Sequence, residues 1–251
     1  MFGSQERGTT LSNFPDKCIQ SLCENWWIKT DKPRKANWYL GEALVRHACE
    51  EPYVLEREGR SPTQSGNHSI AYFRMTTLKN TNTQSEITNL PIAVVPHYPN
   101  ELLAIHRAKR RPVLILATPG TTVEKELRQG NSRTKFAPVY LVAPYYSAEG
   151  EGIREGFKPE FINRVRALNY TQFFWDHLPH DRGHSSVLRL DHIQPVEPGV
   201  NNLVPLPWML SEEAQMVMKE AVMLHLCHHA PEEDGIWATA KQVLSEYPLS
   251  S

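Results

Sequence analysis

Three adjacent basic residues, Lys109, Arg110 and Arg111, stand directly before the apolar run "PVLILA" at residues 112–117. A short apolar run of this kind predicts a buried β-strand. Arg111 is therefore expected at the start of a core strand, where its guanidinium is held rigidly and can face an anion such as phosphate. For Lys109 and Arg110 two interpretations stay open: a solvated surface, or electrostatic steering of a phosphate-bearing partner.

A second group of residues that could do chemistry lies in "WDHLPHDRGH", residues 175–184, which holds Asp176, His177, His180, Asp181 and His184. Imidazole and carboxylate groups suit a first-row metal ion, and a histidine can also accept a proton near neutral pH. The pattern of this segment predicts a strand followed by a hairpin loop. At these spacings few of the five side chains would lie on the same side of the strand. A proton-accepting histidine is therefore the stronger hypothesis and a metal site the weaker one.

Aromatic side chains that could stack on nucleobases occur as Trp26–Trp27 and as residues 173–175. Adjacent residues of a strand point to opposite faces, so at least one of residues 173–175 is expected in the core. The tryptophan pair is expected to dock its segment onto the rest of the fold or onto a partner.

The elements that must position these residues are mostly strands. Strand patterns occupy residues 41–58 (one long strand or a bent pair), 112–117, 135–147, 170–178 and 185–196. Helices are predicted after Pro159, after the capping residue Ser211, and within the first forty residues, where Ile19, Leu22, Cys23 and Trp26 recur at helical spacing. A mostly β middle closed by a packed C-terminal helix predicts a small barrel with insertions.

The composition limits the function classes. Lys plus Arg is 27 and Asp plus Glu is 28, so any contact with nucleic acid has to be local. The sequence has no apolar run long enough to span a membrane and no signal-peptide pattern at its start, which predicts a cytoplasmic protein. Four cysteines without a Cys-x-x-Cys pair predict reduced thiols and no structural zinc.

Several segments together resemble the MazF/PemK-like toxins of the CcdB/MazF superfamily. "GEALV" is similar to their opening strand, "RRPVLILA" to their Arg-Pro-hydrophobic second strand, and "KFAPVYLVAPYYS" to their third strand. The last hairpin and the closing helix of the family resemble residues 170–196 and 210–226. The matching segments follow the family's order and cover somewhat less than half of the 251 residues.

The resemblance implies a mainly β fold with added helices, an SH3-like small barrel. Its domain organisation would be an N-terminal helical extension at 1–40, a barrel at 41–229 with insertions at 58–108 and 148–169, and a C-terminal tail at 230–251 that can add a short helix.

The resemblance also implies an activity, that of a homodimeric endoribonuclease toxin that cleaves single-stranded RNA without metal or cofactor and pairs with a cognate antitoxin protein. The family's catalytic Arg maps onto Arg111, which would face the scissile phosphate. The family's catalytic Thr or Ser falls on Tyr146, with Ser147 next to it, and either hydroxyl stays open as the partner of Arg111. The expected RNA-binding residues are Lys109, Arg110, His180 and His184.

The departures from the family pattern support one other hypothesis. His192 stands where the family usually has Gln, and Pro195 stands where it has Thr or Ser. Together with the missing Thr and the long insertions, they favour a catalytically inactive barrel that acts as a nucleic-acid- or protein-binding regulatory module. A weaker alternative is a metal-dependent hydrolase built on the histidines of residues 176–184.

Overall fold

The computed structural model describes residues 18–31, 37–48, 50–58, 72–77, 104–131, 136–150, 155–180, 184–197, 202–228 and 233–245. The chain divides into two compact units. The larger unit comprises Met1–Val45 and Arg110–Ser251, and the smaller unit comprises Arg46–Lys109. The strands in chain order are β1 Trp27–Lys29, β2 Tyr39–Arg46, β3 Tyr53–Glu58, β4 Tyr72–Thr77, β5 Ala104–Ile105, β6 Ala108–Ala117, β7 Tyr140–Ser147, β8 Phe173–His177, β9 Ser185–Arg189, β10 Gln194–Val196 and β11 Leu203–Leu210.

The larger unit is built on an eight-stranded sheet that curls into a half-barrel. Its strands follow the order β1-β11-β2-β6-β7-β9-β8, and β10 pairs with the first half of β7. The ladders β1–β11, β11–β2, β6–β7, β7–β9 and β9–β8 are antiparallel. The prediction of a mainly β fold with added helices is therefore confirmed.

Three α-helices occur among the described residues: α1 Pro159–Arg166, α2 Glu212–Cys227 and α3 Ile236–Ser245. Helix α1 begins with Pro159 in its first turn, where the missing N–H costs nothing. Helix α2 begins after Ser211, whose Oγ accepts a hydrogen bond from the Ala214 N–H at 3.1 Å. Both helix starts agree with the sequence patterns that predicted them.

The apolar run of β6 is continuous because both of its faces are buried. Leu114 and Leu116 face the larger hydrophobic cluster, into which α2 and α3 also pack. Val113 and Ile115 face a second cluster on the opposite side of the sheet. Burial on both faces removes the alternation of polar and apolar residues that a half-exposed strand would show.

The helix predicted within the first forty residues is wrong for the described part of that segment. The chain instead forms a single 3-10 turn at Ile19–Leu22 and then strand β1, which pairs with β11. Trp26 and Trp27 are both buried. The pairing with β11 provides hydrogen-bond partners for the backbone of Trp27–Lys29.

Strand β11 has no counterpart among the predicted strands. Pro205 and Pro207 argue against a strand inside a sheet because proline cannot donate to a ladder. The structure nevertheless places β11 between β1 and β2, with a shift of register between Pro205 and Met209. The irregularity at the prolines lets the strand pair on both sides.

The smaller unit contains a three-stranded antiparallel sheet of order β4-β3-β5. This unit, Arg46–Lys109, begins before the insertion that was predicted at 58–108. Residues 59–71 and 78–103 lie outside the described residues. The predicted long strand or bent pair over 41–58 is two strands, β2 and β3, which belong to different sheets. In the described part of the chain, no helix combines the length and the apolar character needed to cross a membrane.

Candidate functional site

Arg111 and Tyr146 meet across the two central strands β6 and β7. The pairing Val113↔Pro144, continued by two residues, sets Arg111 opposite Tyr146. Both residues extend the sheet face that carries Val113 and Ile115, and the Arg111 side chain is only 6% exposed. Its guanidinium carbon lies 4.3 Å from the centroid of the Tyr146 ring, a cation–π contact. Arg111 is the fourth residue of β6, so it lies inside a core strand and not at the start of one, where the sequence analysis expected it.

The Tyr146 hydroxyl is joined to a histidine that follows β9. Its oxygen lies 2.7 Å from Nδ1 of His192, and the two rings meet edge to face. His192 is 7% exposed and closes the 3-10 turn Leu190–His192 between β9 and β10. The turn bends the chain back toward β7, which brings this imidazole to the Tyr146 hydroxyl.

A second arginine, at the end of β9, completes the cluster. The Nη2 of Arg189 lies 2.9 Å from Nε2 of His192. The same guanidinium forms a fork with Asp191, from Nε to Oδ1 at 2.7 Å and from Nη2 to Oδ2 at 2.6 Å. Partial burial acts to raise the pKa of Asp191, but the hydrogen bonds and charge of Arg189 outweigh it and hold that pKa below its ordinary value.

These five residues form one continuous set of contacts, called here the Arg–Tyr–His cluster: Arg111, Tyr146, His192, Arg189 and Asp191. It contains two guanidinium groups and one carboxylate, and a guanidinium is a group that binds phosphate or carboxylate oxygens through paired N–H donors. Arg189 and Asp191 are its more open members, with side chains 19% and 30% exposed. Arg189 is therefore nearer to solvent than Arg111.

The second hydroxyl candidate, Ser147, does not join this cluster. It follows Tyr146 in β7 and therefore points to the opposite sheet face. Its Oγ donates to the backbone oxygen of Glu149 at 3.1 Å. Of the two alternatives that the sequence left open, the structure brings Tyr146 to Arg111 and leaves Ser147 apart.

The predicted RNA-binding residues lie on exposed surface. Lys109 and Arg110 are exposed near the start of β6, and His180 is exposed in the turn after β8. His184 precedes β9, and five residues of extended strand, about 17 Å, separate it from Arg189. The structure therefore does not bring His180 and His184 to the Arg–Tyr–His cluster.

His184 is engaged with an acidic residue at the surface. Its Nδ1 lies 2.7 Å from Oε2 of Glu149, and the Ser185 N–H donates to Oε1 of the same carboxylate. The hydrogen bond with His184, followed by that from Ser185, lowers the pKa of Glu149 below its ordinary value.

Asp176 belongs to the core. Its carboxylate accepts hydrogen bonds from the indoles of Trp26 and Trp27 and from the Tyr145 hydroxyl. Burial raises the pKa of Asp176 to about 7, against the opposing effect of these donors. His177 is its neighbour in β8 and points to the other sheet face.

This geometry gives no support to a metal site in residues 176–184. Within the ranges that the structure describes, no group of three or more His, Cys, Asp or Glu residues is placed to share a metal ion. Asp181 lies outside the described residues.

Of the aromatic residues considered for base stacking, only Phe173 is half-buried; Trp26, Trp27, Phe174 and Trp175 are buried. The guanidinium carbon of Arg189 lies 4.7 Å from the centroid of the Phe173 ring. Phe173 thus borders the Arg–Tyr–His cluster, and the tryptophan pair docks into the core of its own unit.

Sequence reasoning missed Arg189 and Asp191 and noted His192 only as a departure from a family pattern. The segment "RLDH" at the end of β9 does concentrate a cation, a carboxylate and an imidazole within four residues. That concentration is the one sequence feature that could have identified them.

No family model, curated protein or solved structure matches this chain. The arrangement itself combines a buried cation with a phenolic hydroxyl and an imidazole, and groups of these kinds can stabilise negative charge and transfer protons.

Proposed function

We propose that the protein is an SH3-like barrel of the MazF/PemK-like kind that cleaves single-stranded RNA without metal, at the Arg–Tyr–His cluster. The observation that carries this proposal is the contact between the Arg111 guanidinium and the ring of Tyr146, whose hydroxyl is in turn bound to His192. It joins a fixed positive charge and a proton-donating group at one point of a rigid sheet.

The chemistry assigns a role to each group. The 2′-oxygen of the RNA attacks phosphorus as its proton passes to solvent water, and the bond from phosphorus to the 5′-oxygen breaks. Arg111 stabilises the negative charge that develops on the phosphoryl oxygens, because a guanidinium stays protonated and matches their geometry. Tyr146 gives its hydroxyl proton to the leaving 5′-oxygen and regains a proton from water. The products are a 2′,3′-cyclic phosphate and a 5′-hydroxyl.

The experiment is an RNA-cleavage assay in the presence of EDTA, with the termini of the products identified. The Arg111→Met variant removes the charge and keeps an unbranched stem over Tyr146, and cleavage is expected to fall about a hundredfold or more. Lys125→Met, at an exposed position of a 3-10 turn, is the matched control and is expected to leave cleavage unchanged. Intact RNA with the wild-type protein, or wild-type cleavage by Arg111→Met, would contradict the proposal.

The depth of the cluster favours a second candidate function. Arg111 and His192 are each less than 10% exposed. A barrel that binds RNA or protein as a regulatory module without cutting needs no access of a scissile bond to these groups. RNA binding by the wild-type protein without cleavage in the same assay would support this candidate over the nuclease.

The proposed partners are single-stranded RNA, a cognate antitoxin and a second copy of the chain. The homodimer is tested by the molar mass of the purified protein in solution. A mass of one chain across the working concentration range would remove the dimer from the proposal.

A further inference from the structure

We infer that Arg189 is a positioning residue that fixes the tautomer of His192 and, through it, the hydrogen-bond role of the Tyr146 hydroxyl. The tautomer follows from the contacts alone. Its catalytic consequence rests on the proposed function.

The first step is the contact between Arg189 and His192. An arginine side chain offers only N–H donors and has no acceptor. Since Nη2 of Arg189 lies 2.9 Å from Nε2 of His192, this ring nitrogen accepts the hydrogen bond and carries no proton. A neutral imidazole holds one ring proton, which therefore lies on Nδ1.

The second step concerns Tyr146. Nδ1 of His192 lies 2.7 Å from the Tyr146 oxygen, so the Nδ1–H group donates to that oxygen. The tyrosine oxygen is thus an acceptor toward His192, and its own O–H is directed toward a different acceptor. With the opposite tautomer, an Nε2–H group and an arginine N–H would face each other across 2.9 Å.

The third step is the way in which Arg189 is held. Its Nη2 carries two hydrogens, one for Oδ2 of Asp191 at 2.6 Å and one for His192. The Nε–H donates to Oδ1 of the same carboxylate, and the guanidinium also lies against the Phe173 ring. The carboxylate fork and the ring contact fix the guanidinium plane, so a donor always faces Nε2.

The tautomer of His192 sets the direction of proton transfer in the proposed reaction. A Tyr146 hydroxyl that accepts from His192 presents its proton to the 5′-oxygen of the RNA. When the proton leaves, the phenolate oxygen keeps the Nδ1–H donor, and the Arg111 cation lies over the same ring. Arg189 thereby makes Tyr146 a proton donor without contacting the leaving oxygen.

The test is nuclear magnetic resonance of the full chain labelled with ¹⁵N-histidine, in which long-range ¹H–¹⁵N correlations show which ring nitrogen is protonated. The chain has eleven histidines, and the His192→Gln spectrum identifies the His192 signals. At neutral pH the wild-type protein is expected to show His192 protonated on Nδ1 and unprotonated on Nε2. An Nε2–H tautomer, or a doubly protonated ring, would overturn the inference.

Two variants test the role of Arg189 itself. Arg189→Met keeps the stem and removes the donor, so His192 is expected to move toward the Nε2–H tautomer while the other histidine signals stay in place. Arg189→Lys restores a donor and is expected to return part of the Nδ1–H form. An unchanged tautomer in a folded Arg189→Met protein would overturn the role of Arg189, and if that variant fails to fold, the wild-type and Arg189→Lys spectra decide.

A cleavage arm separates this inference from the proposed function. If the wild-type protein cleaves RNA, Arg189→Met is expected to lower kcat about tenfold or more and Arg189→Lys to recover part of it. If the protein cleaves no RNA, the proposed function and the catalytic consequence both fail, and the spectra still support or overturn the tautomer. Full cleavage by an Arg189→Met protein with an altered tautomer would overturn the catalytic consequence alone.

Discussion

The indole N–H of Trp27 donates a hydrogen bond to Oδ1 of Asp176 at 3.2 Å, through the core of the larger unit. The other carboxylate oxygen accepts from the Trp26 indole and from the Tyr145 hydroxyl. One buried carboxylate thus joins β7, β8 and the start of β1, together with the residue before it. This network accounts for two adjacent tryptophans that are both buried.

The network predicts a pH dependence of stability that Asp176→Asn removes. Burial raises the pKa of Asp176 to about 7 in the folded protein, above its ordinary value of 3.8. The folded state therefore holds the proton more tightly, and the stabilisation is complete below about pH 4 and lost as pH rises through about 7. Relative to Asp176→Asn, the wild-type free energy of unfolding should fall by up to about 1.4 kcal/mol per pH unit in this window.

The measurement is urea denaturation of both proteins between pH 4 and 8. An asparagine amide does not titrate, so any destabilisation that it causes beside the indole donors is the same at every pH. The pH dependence of the difference in the free energy of unfolding between the two proteins therefore reports on the carboxyl group alone. A difference that stays constant with pH would show that Asp176 does not titrate as described.

Removing one donor from this network should destabilise the fold. Tyr145→Phe deletes the hydroxyl that donates to Asp176 at 3.0 Å. In urea denaturation at pH 8, above the pKa of Asp176, the acceptor is a buried carboxylate and the expected loss is about 1.5–3 kcal/mol. Tyr140→Phe, in the half-buried first position of the same strand, is the matched control and should change stability by less than about 0.5 kcal/mol. Equal effects of the two variants would contradict the assigned role of the Tyr145 hydroxyl.

The cap of helix α2 provides a third prediction. Ser211→Ala removes the acceptor for the Ala214 N–H and should lower the free energy of unfolding by about 1 kcal/mol. Ser211→Asp keeps an acceptor and should remain within a few tenths of a kcal/mol of the wild type, again measured by urea denaturation. A neutral effect of the alanine variant would show that α2 does not depend on this cap.

The exposed basic residue Arg110 gives a prediction on binding, provided that the protein binds RNA. Arg110→Gln should weaken RNA binding and reduce the slope of log affinity against log salt by about one, as expected for the loss of one phosphate contact. Lys125→Gln is the matched control at an exposed site in the 3-10 turn Lys125–Arg128. An unchanged slope for Arg110→Gln would assign this side chain to solvated surface, the other interpretation that the sequence left open.

Sequence patterns predict correctly those helices and strands whose formation depends on neighbouring residues in the chain. The apolar run of β6, the proline start of α1 and the serine cap of α2 all predicted the observed elements. The helix predicted from Ile19 to Trp26 does not form, although these apolar residues fit helical spacing. The segment leads instead into β1, whose pairing with β11 is a contact distant in sequence. The same distance explains why β11, with its two prolines, was not predicted.

The candidate site likewise contains one residue that the sequence pattern identifies and others that only the folded chain brings together. Arg111 could be singled out because its basic side chain stands immediately before the apolar run of residues 112–117. The association of Tyr146 with His192 and Arg189 could not, because it depends on a 3-10 turn that bends the chain after β9. Ser147 and Tyr146 were equivalent candidates in sequence, and only the alternation of side chains along β7 separates them.

The most direct test of the central claim is the rate of RNA cleavage in EDTA by Tyr146→Phe and Ser147→Ala beside the wild-type protein. Tyr146→Phe keeps the ring beneath Arg111 and deletes the proton donor, so the rate is expected to fall about a hundredfold or more. Ser147→Ala is expected to cut at the wild-type rate, since this side chain points to the other sheet face. Cleavage by Tyr146→Phe at the wild-type rate, or a loss confined to Ser147→Ala, would contradict the account.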